Sequence, residues 1–397
     1  MTVAIIGGGN SAHTLIPLLS NTGMNINLLT RKPDKWSKTI ELDYIHPSGE
    51  FVRSFQGVLN KISDEPADII PDADFIILCL PVHIYRSMLH TIAPYINKSK
   101  DVYIGTVFGQ GGFNWMTNEI KTEFELDNIK TFAFGLIPWI CRTETYGKKG
   151  IVYGAKPINI AAVEPASAFE FLNKVLFEKV VFDWFGHGSF KQADNFISLT
   201  LSVDNQILHT SRMHGLFKEY GGEWDSMEAI PLFYAEFSEL SASILRGLDT
   251  DYSSIRNGIR KQFPKKNFTY MMDYIEQDNR TNLKNNKSYL DTFSNSGILA
   301  RIKPPVVKKH GKWVLDIEHR FLTDDVLYGL CIAKSIAEML EINTYHIDNT
   351  LTWAQGMMGK KIISNHKLVV SEEIKRDKFK YGIPEAYGFK NLEDICD

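Results

Sequence analysis

The feature that most restricts this chain lies at its start. The apolar run Val3-Ala4-Ile5-Ile6 breaks into Gly7-Gly8-Gly9-Asn10-Ser11-Ala12 and continues as His13-Thr14-Leu15-Ile16-Pro17-Leu18-Leu19. That order reads as strand, glycine turn, helix. Gly7, Gly9 and Ala12 follow the spacing G-x-G-x-x-A, in which the first glycine permits a tight turn, the second lets the backbone approach a diphosphate, and the small third residue lets helix pack on strand. The N–H groups of the first helical turn then face an anion. A further apolar run, Ile26-Asn27-Leu28-Leu29, comes where the next strand of a βαβ unit belongs. The context therefore predicts a dinucleotide site, with Asn10 and Ser11 completing the turn.

The residues after that second strand bear on which dinucleotide. An Asp or Glu here would accept hydrogen bonds from ribose hydroxyls, whereas this chain has Thr30-Arg31-Lys32-Pro33. Two cations suit a 2′-phosphate, so NADP(H) is the expected cofactor, with NAD(H) kept open; Arg31 is the main phosphate ligand and Thr30 and Lys32 assist. The fully apolar Phe75-Ile76-Ile77-Leu78-Cys79-Leu80 reads as a buried parallel strand. The loop at its carboxyl end makes Leu80, Pro81 and Val82 cofactor contacts by position, while His83 reads as an ordinary loop histidine.

Composition excludes several classes. A formal net charge of −3 argues against nucleic-acid and anionic-membrane partners. No apolar run approaches the ~20 residues of a membrane span, and no cationic signal region precedes the first strand, which predicts a cytoplasmic protein. Cys79, Cys141, Cys331 and Cys396 are far apart in mostly apolar contexts, so they read as buried thiols, and no ligand spacing suggests a metal. Small-molecule partners are expected. Association into a homodimer is left open.

Further along, Pro47-Ser48-Gly49-Glu50 supplies the turn of a hairpin between Tyr44 and Val58. Strands are expected at 101–105 and 130–135. Between them Phe108-Gly109-Gln110-Gly111-Gly112-Phe113 is a glycine-rich turn that would leave Gln110 exposed near a nicotinamide or substrate. Gly150 to Gly154 and Asn159 to Val163 alternate like a β-pair. Strand signals largely stop after Val180-Val181-Phe182, and helical periodicity takes over in 195–217, 236–248, 326–340 and 347–362, with a loop-rich stretch and a hairpin at His310-Gly311 between. The fold expected is an α/β doubly wound Rossmann domain, residues 1–190, followed by a mainly α-helical substrate and catalytic domain, residues 191–397.

In the second domain Asn205 and His209, four apart, share a helix face. A later helix opens at His319-Arg320-Phe321-Leu322-Thr323-Asp324-Asp325-Val326 with an acidic first turn. These stretches, with Gly7 to His13, Pro138-Trp139-Ile140-Cys141-Arg142, Tyr328-Gly329-Leu330 and Trp353-Ala354-Gln355, resemble the opine dehydrogenases, the octopine/nopaline dehydrogenase family, over nearly the whole chain. The resemblance implies an NAD(P)H-dependent oxidoreductase that joins the amine of an L-amino acid to a 2-oxo acid, usually pyruvate, and reduces the imine. It makes His209 the catalytic histidine, Asp325 by register its carboxylate partner beside Asp324, and Arg320 the cation for a substrate carboxylate. Asn205 would orient nicotinamide or substrate, and Gln110 and Cys141 fall in segments that resemble substrate-lining loops. Thr210 stands where the family commonly has proline.

Two other readings compete. Gly186-His187-Gly188-Ser189-Phe190-Lys191-Gln192-Ala193-Asp194-Asn195 resembles the catalytic helix of β-hydroxyacid and 6-phosphogluconate dehydrogenases, but it is one residue short before Lys191, which would turn the lysine about 100° around a helix. The second alternative is a catalytically silent NADP(H)-binding sensor.

Overall fold

Val3 through Ile6 are buried on both faces because their strand is central in a parallel sheet. The structure is a computed structural model that describes residues 1–293 and 297–396, apart from the side chain of Ile298. Its first unit, Met1–Thr200 with Thr281–Leu283, holds one sheet built from β1 (Thr2–Ile6), β2 (Asn25–Leu29), β3 (Thr39–Ile45), β4 (Phe51–Ser63), β5 (Phe75–Leu78), β6 (Val102–Thr106), β7 (Ile129–Phe134), β8 (Trp139–Thr145), β9 (Lys149–Ala155), β10 (Ile158–Glu164) and β11 (Ser189–Ala193). The order is β11-β10-β7-β6-β5-β1-β2-β4-β3-β9-β8. From β7 to β4 all neighbours are parallel. The chain winds outward from β1 through β2, then restarts beside β1 at β5. The crevice at the carboxyl ends of β1 and β5 is therefore the switch point where a doubly wound sheet binds ligands.

Helices α1 (Asn10–Ser20), α2 (Val82–Ile92) and α3 (Phe113–Phe124) follow β1, β5 and β6. Helix α1 packs closely on the β4 side: a Cβ on Gly57 would stand 2.5 Å from Pro17 Cα. The expected hairpin is present, β3 pairing antiparallel with β4 around a turn in which Gly49 has φ +95°.

Two expectations change. The segments 150–154 and 159–163 are strands but do not pair with each other: β9 lies between β3 and β8, and β10 between β7 and β11. Alternation reports a buried face, and either neighbour satisfies it. Residue 190 falls inside β11, which pairs in parallel with β10, so the sheet and its unit run on past that point.

The second unit, Leu201–Arg280 with Lys284–Asp397, is organised around α4 (Asn205–Tyr220) and α5 (Glu239–Gln262). The helix expected from 195 to 217 is interrupted: Asp204 accepts a hydrogen bond from the Asn205 N–H and caps a new helix there. Gly215 lets α4 and α5 approach, since a Cβ there would be 2.2 Å from Ser241 Oγ. A small antiparallel sheet follows, from β12 (Glu223–Trp224), β13 (Val306–Lys309) and β14 (Lys312–Leu315), its hairpin turning at His310 and Gly311 with φ of 50° and 85°. After it come α6 (Arg320–Thr323), α7 (Cys331–Met339) and α8 (Tyr345–Met358). Among the described residues no helix is long and apolar enough to cross a membrane, and the four cysteines are buried and form no disulfide.

Candidate active site

In the first unit, Gly7 has φ +112°, and a Cβ there would meet Cys79 O at 2.4 Å and Leu80 Cδ2 at 2.9 Å. Only glycine fits this crossing of β1 and β5. Gly9 and Asn10 are exposed, with nothing nearer to a Cβ on Gly9 than Cys79 O at 4.0 Å. No side chain caps α1 and no acid occupies its first turn, so the N–H groups of Asn10, Ser11 and Ala12 present the positive helix end outward. This cradle fits a diphosphate. The side chain of Asn10 is used elsewhere, its Oδ1 accepting from Thr143 N at 2.9 Å and Thr143 Oγ1 at 3.0 Å.

At the end of β2, Thr30 is buried and its N–H donates to Ser63 O at 2.9 Å. Arg31 and Lys32 are exposed and make no ion pair or side-chain hydrogen bond among the described residues. After β5, Leu80 is half-buried, Pro81 is exposed at the start of α2, and Val82 is buried.

Gln110 is not exposed. It is fully buried, its Nε2 donating to Gly135 O at 3.2 Å. The surrounding glycines let the turn fold inward: a Cβ on Gly109 would be 2.5 Å from Ala133 Cβ. Cys141 lies in strand β8 rather than in a loop. Its thiol is buried, which pushes its pKa up, while hydrogen bonds with Thr14 and Ser11 of α1 pull the other way. Lys191 is exposed in strand β11, opposite Ile160. The catalytic helix required by the 6-phosphogluconate-type reading is therefore absent at that lysine.

In the second unit, His209 Nδ1 and Asp325 Oδ2 are 2.8 Å apart, and each residue is 2% exposed. Three local features bring them together. Gly329 permits close approach to α4, because a Cβ there would be 2.6 Å from Gln206 Cγ. Residues 326–330 form a π-turn, with Leu330 N donating to Asp325 O at 3.0 Å. His319 caps α6, its Nδ1 accepting from Phe321 N at 3.3 Å. The π-turn places Asp325 at the change of helical geometry, a place where such turns recur at functional sites.

The His209 ring stacks on Phe321 with centroids 3.6 Å apart and meets Phe233 edge-on at 5.7 Å. Its Nε2 has no hydrogen-bond partner among the described residues. Burial, and next the charge of Arg320, hold the imidazole well below its ordinary pKa, whereas Asp204 and Asp324 act in the opposite sense. Burial drives the Asp325 carboxyl well above the ordinary carboxylate range. Arg320 is exposed, with its guanidinium 5.4 Å from the Phe321 ring centroid. Asn205 is half-buried in the first turn of α4. The helix continues through Thr210, whose Oγ1 donates to Gln206 O.

Sequence reasoning passed over His13, which is fully buried beneath the glycine turn. It also passed over Trp36 and Tyr146, whose rings lie 4.5 and 5.7 Å from the His13 ring.

A family model described as NAD/NADP octopine/nopaline dehydrogenase, alpha-helical domain, matches residues 192–358. One described as NADP oxidoreductase coenzyme F420-dependent matches residues 2–104. An opine dehydrogenase of Haliotis discus hannai is 26% identical over 421 aligned residues, covering 100% of this chain and 98% of the relative. A tauropine dehydrogenase of Arabella iricolor is 24% identical with 100% of both covered. The fold is that of a solved octopine dehydrogenase in complex with NADH and agmatine, at TM-score 0.81, 21% identity and coverage of 100% and 98%. With a glycine turn at the head of a parallel sheet in the first unit and a second unit matched over residues 192–358 by the octopine/nopaline model, this chain is similar over its whole length to the opine dehydrogenases, which are NAD(P)-dependent oxidoreductases.

Proposed function

We propose that this enzyme joins the amino group of an L-amino acid to a 2-oxo acid, with pyruvate the preferred partner, and reduces the resulting imine with NADPH. The observation that carries the reading is the buried His209–Asp325 hydrogen bond beside the exposed charge of Arg320. Arg320 binds the carboxylate of the 2-oxo acid through charge-assisted hydrogen bonds. His209, neutral because it is buried, takes a proton at Nε2 from the incoming ammonium, and the freed amine attacks the carbonyl carbon. The imidazolium is then balanced by Asp325 across the 2.8 Å bond. His209 returns its proton as the carbinolamine oxygen leaves as water. A reduced dinucleotide, held at the glycine turn of Gly7, Gly9 and Ala12, would supply the hydride for the imine carbon. Asn205 is assigned to orienting substrate, whereas Gln110 and Cys141, whose side chains are buried, are given no substrate contact.

The preference for NADPH rests on Arg31 and Lys32, exposed cations without a protein counter-charge among the described residues. Thr30 and the loop Leu80-Pro81-Val82 complete the assigned cofactor contacts. The test is loss of reduced-cofactor absorbance with NADPH and NADH in parallel, pyruvate present, and pooled L-amino acids with taurine added or withheld. Consumption that needs both pyruvate and an amine supports the reading. Consumption with pyruvate alone points to hydroxyacid reduction, and binding without turnover to a sensor.

A further inference from the structure

Resting on the assignment of the glycine turn as the cofactor cradle, we propose that Tyr146 is a cofactor ligand, its hydroxyl donating a hydrogen bond to an oxygen on the adenosine half, and that His13 is the strut that holds it there.

Tyr146 sits at the tip of the β8–β9 hairpin, far from the glycine turn in sequence. In space its hydroxyl lies over that turn: a Cβ on Gly8 would be 2.6 Å from Tyr146 Oη. This hydroxyl makes no hydrogen bond among the described residues, and the side chain is 42% exposed. A phenol beside the diphosphate turn with its donor uncommitted is placed to meet the ligand that the turn binds.

The neighbouring contacts identify which half of that ligand. Gly147 O accepts from Ser37 N at 2.8 Å. Gly147 itself has φ +71°, and a Cβ there would stand 2.1 Å from Lys35 O. The hairpin tip is thus wedged against the loop that directly continues Arg31 and Lys32, on the adenosine side.

His13 fixes the tip. Its Nε2 accepts from Gly147 N at 2.8 Å, which puts the ring proton on Nδ1, and Nδ1 donates to Gly9 O at 2.9 Å. One neutral imidazole thereby ties the diphosphate turn to the hairpin. Burial supports this state by lowering the pKa of His13. The rings of Trp36 and Tyr146, 5.6 Å apart, close around it.

The test is NADPH binding by fluorescence titration to the full chain, for wild type, Tyr146→Phe, His13→Phe, the double variant, and the exposed control Tyr95→Phe. Removing one hydrogen bond to the cofactor weakens binding about fivefold, so Tyr146→Phe shows that loss and Tyr95→Phe none. His13→Phe keeps an aromatic ring but loses both bonds, and His13→Gln, which can donate and accept, recovers affinity. Because His13 acts through Tyr146, the double variant binds no more weakly than His13→Phe. Unchanged affinity in Tyr146→Phe overturns the proposal, as do additive losses in the double variant. Should His13→Phe fail to fold, Tyr146→Phe alone decides. A wild-type protein that binds neither NADPH nor NADH would instead overturn the cofactor assignment itself.

Discussion

Replacing Asp325 by Asn removes a charge while keeping shape, and the structure says what should follow. The carboxylate and the His209 imidazole are both 2% exposed and 2.8 Å apart. A charge-assisted hydrogen bond in such surroundings contributes up to about 3 kcal/mol. That contribution matters when the imidazole is charged, during proton transfer, so its loss lowers kcat by roughly 100-fold. Stability should move the other way or not at all. Burial raises the folded pKa of Asp325, so the folded state binds its proton more tightly than the unfolded chain, and ionisation costs stability as pH rises from the ordinary carboxylate value through the folded one. An amide has no such cost. Steady-state turnover with saturating NADPH, pyruvate and amine, with thermal unfolding and NADPH titration of the same variant, separates these effects. The expected result is a large fall in kcat, an unfolding midpoint at or above wild type at pH 8, and unchanged NADPH affinity. A kcat within about threefold of wild type would refute the role assigned to the pair.

Arg31→Ala should weaken NADPH binding about 10- to 100-fold and leave NADH binding nearly unchanged, because the bonds lost are those to the 2′-phosphate; equal losses for both nucleotides would contradict the assignment. Gly7→Ala should cost at least about 2 kcal/mol, from φ +112° and the 2.4 Å approach to Cys79 O, and denaturant unfolding reads this directly. His214 is 5% exposed and stacked on Trp353, and burial, with Lys218 adding, pulls its pKa down to about 4. The unfolded chain therefore takes up the proton first, and stability falls as pH drops from about 6.5 towards 4, by as much as about 3 kcal/mol. His214→Gln should flatten that part of the stability-against-pH curve.

Local features of the fold were legible in the sequence. The first strand, its glycine turn and the Pro47–Glu50 hairpin depend on neighbouring residues, and each formed as read. Partnership between distant strands was not legible: the alternation of β9 and β10 fits any neighbour that buries one face, and their partners β3 and β7 come from elsewhere in the chain. Glycines around Gln110 signalled a tight turn but not its direction, and the bond to Gly135 O turned the amide inward.

In the candidate site, His209, Asp325 and Arg320 were reached through motif resemblance, since a helix histidine and an acidic turn are individually ordinary. The π-turn that presents Asp325 has no periodic signature. His13 lies one turn after Gly9 in a motif already singled out, which was the available signal, but its partner Gly147 could be found only in three dimensions.

Whether the enzyme reduces an imine is decided by mass spectrometry of the product formed with NADPH carrying deuterium at the transferable position, pyruvate and the productive amine. The expected product is a secondary amine whose mass is the sum of the two substrates less one oxygen atom, with one deuterium on the carbon that was the carbonyl. Deuterated lactate as the product, with the amine recovered unchanged, would contradict imine reduction.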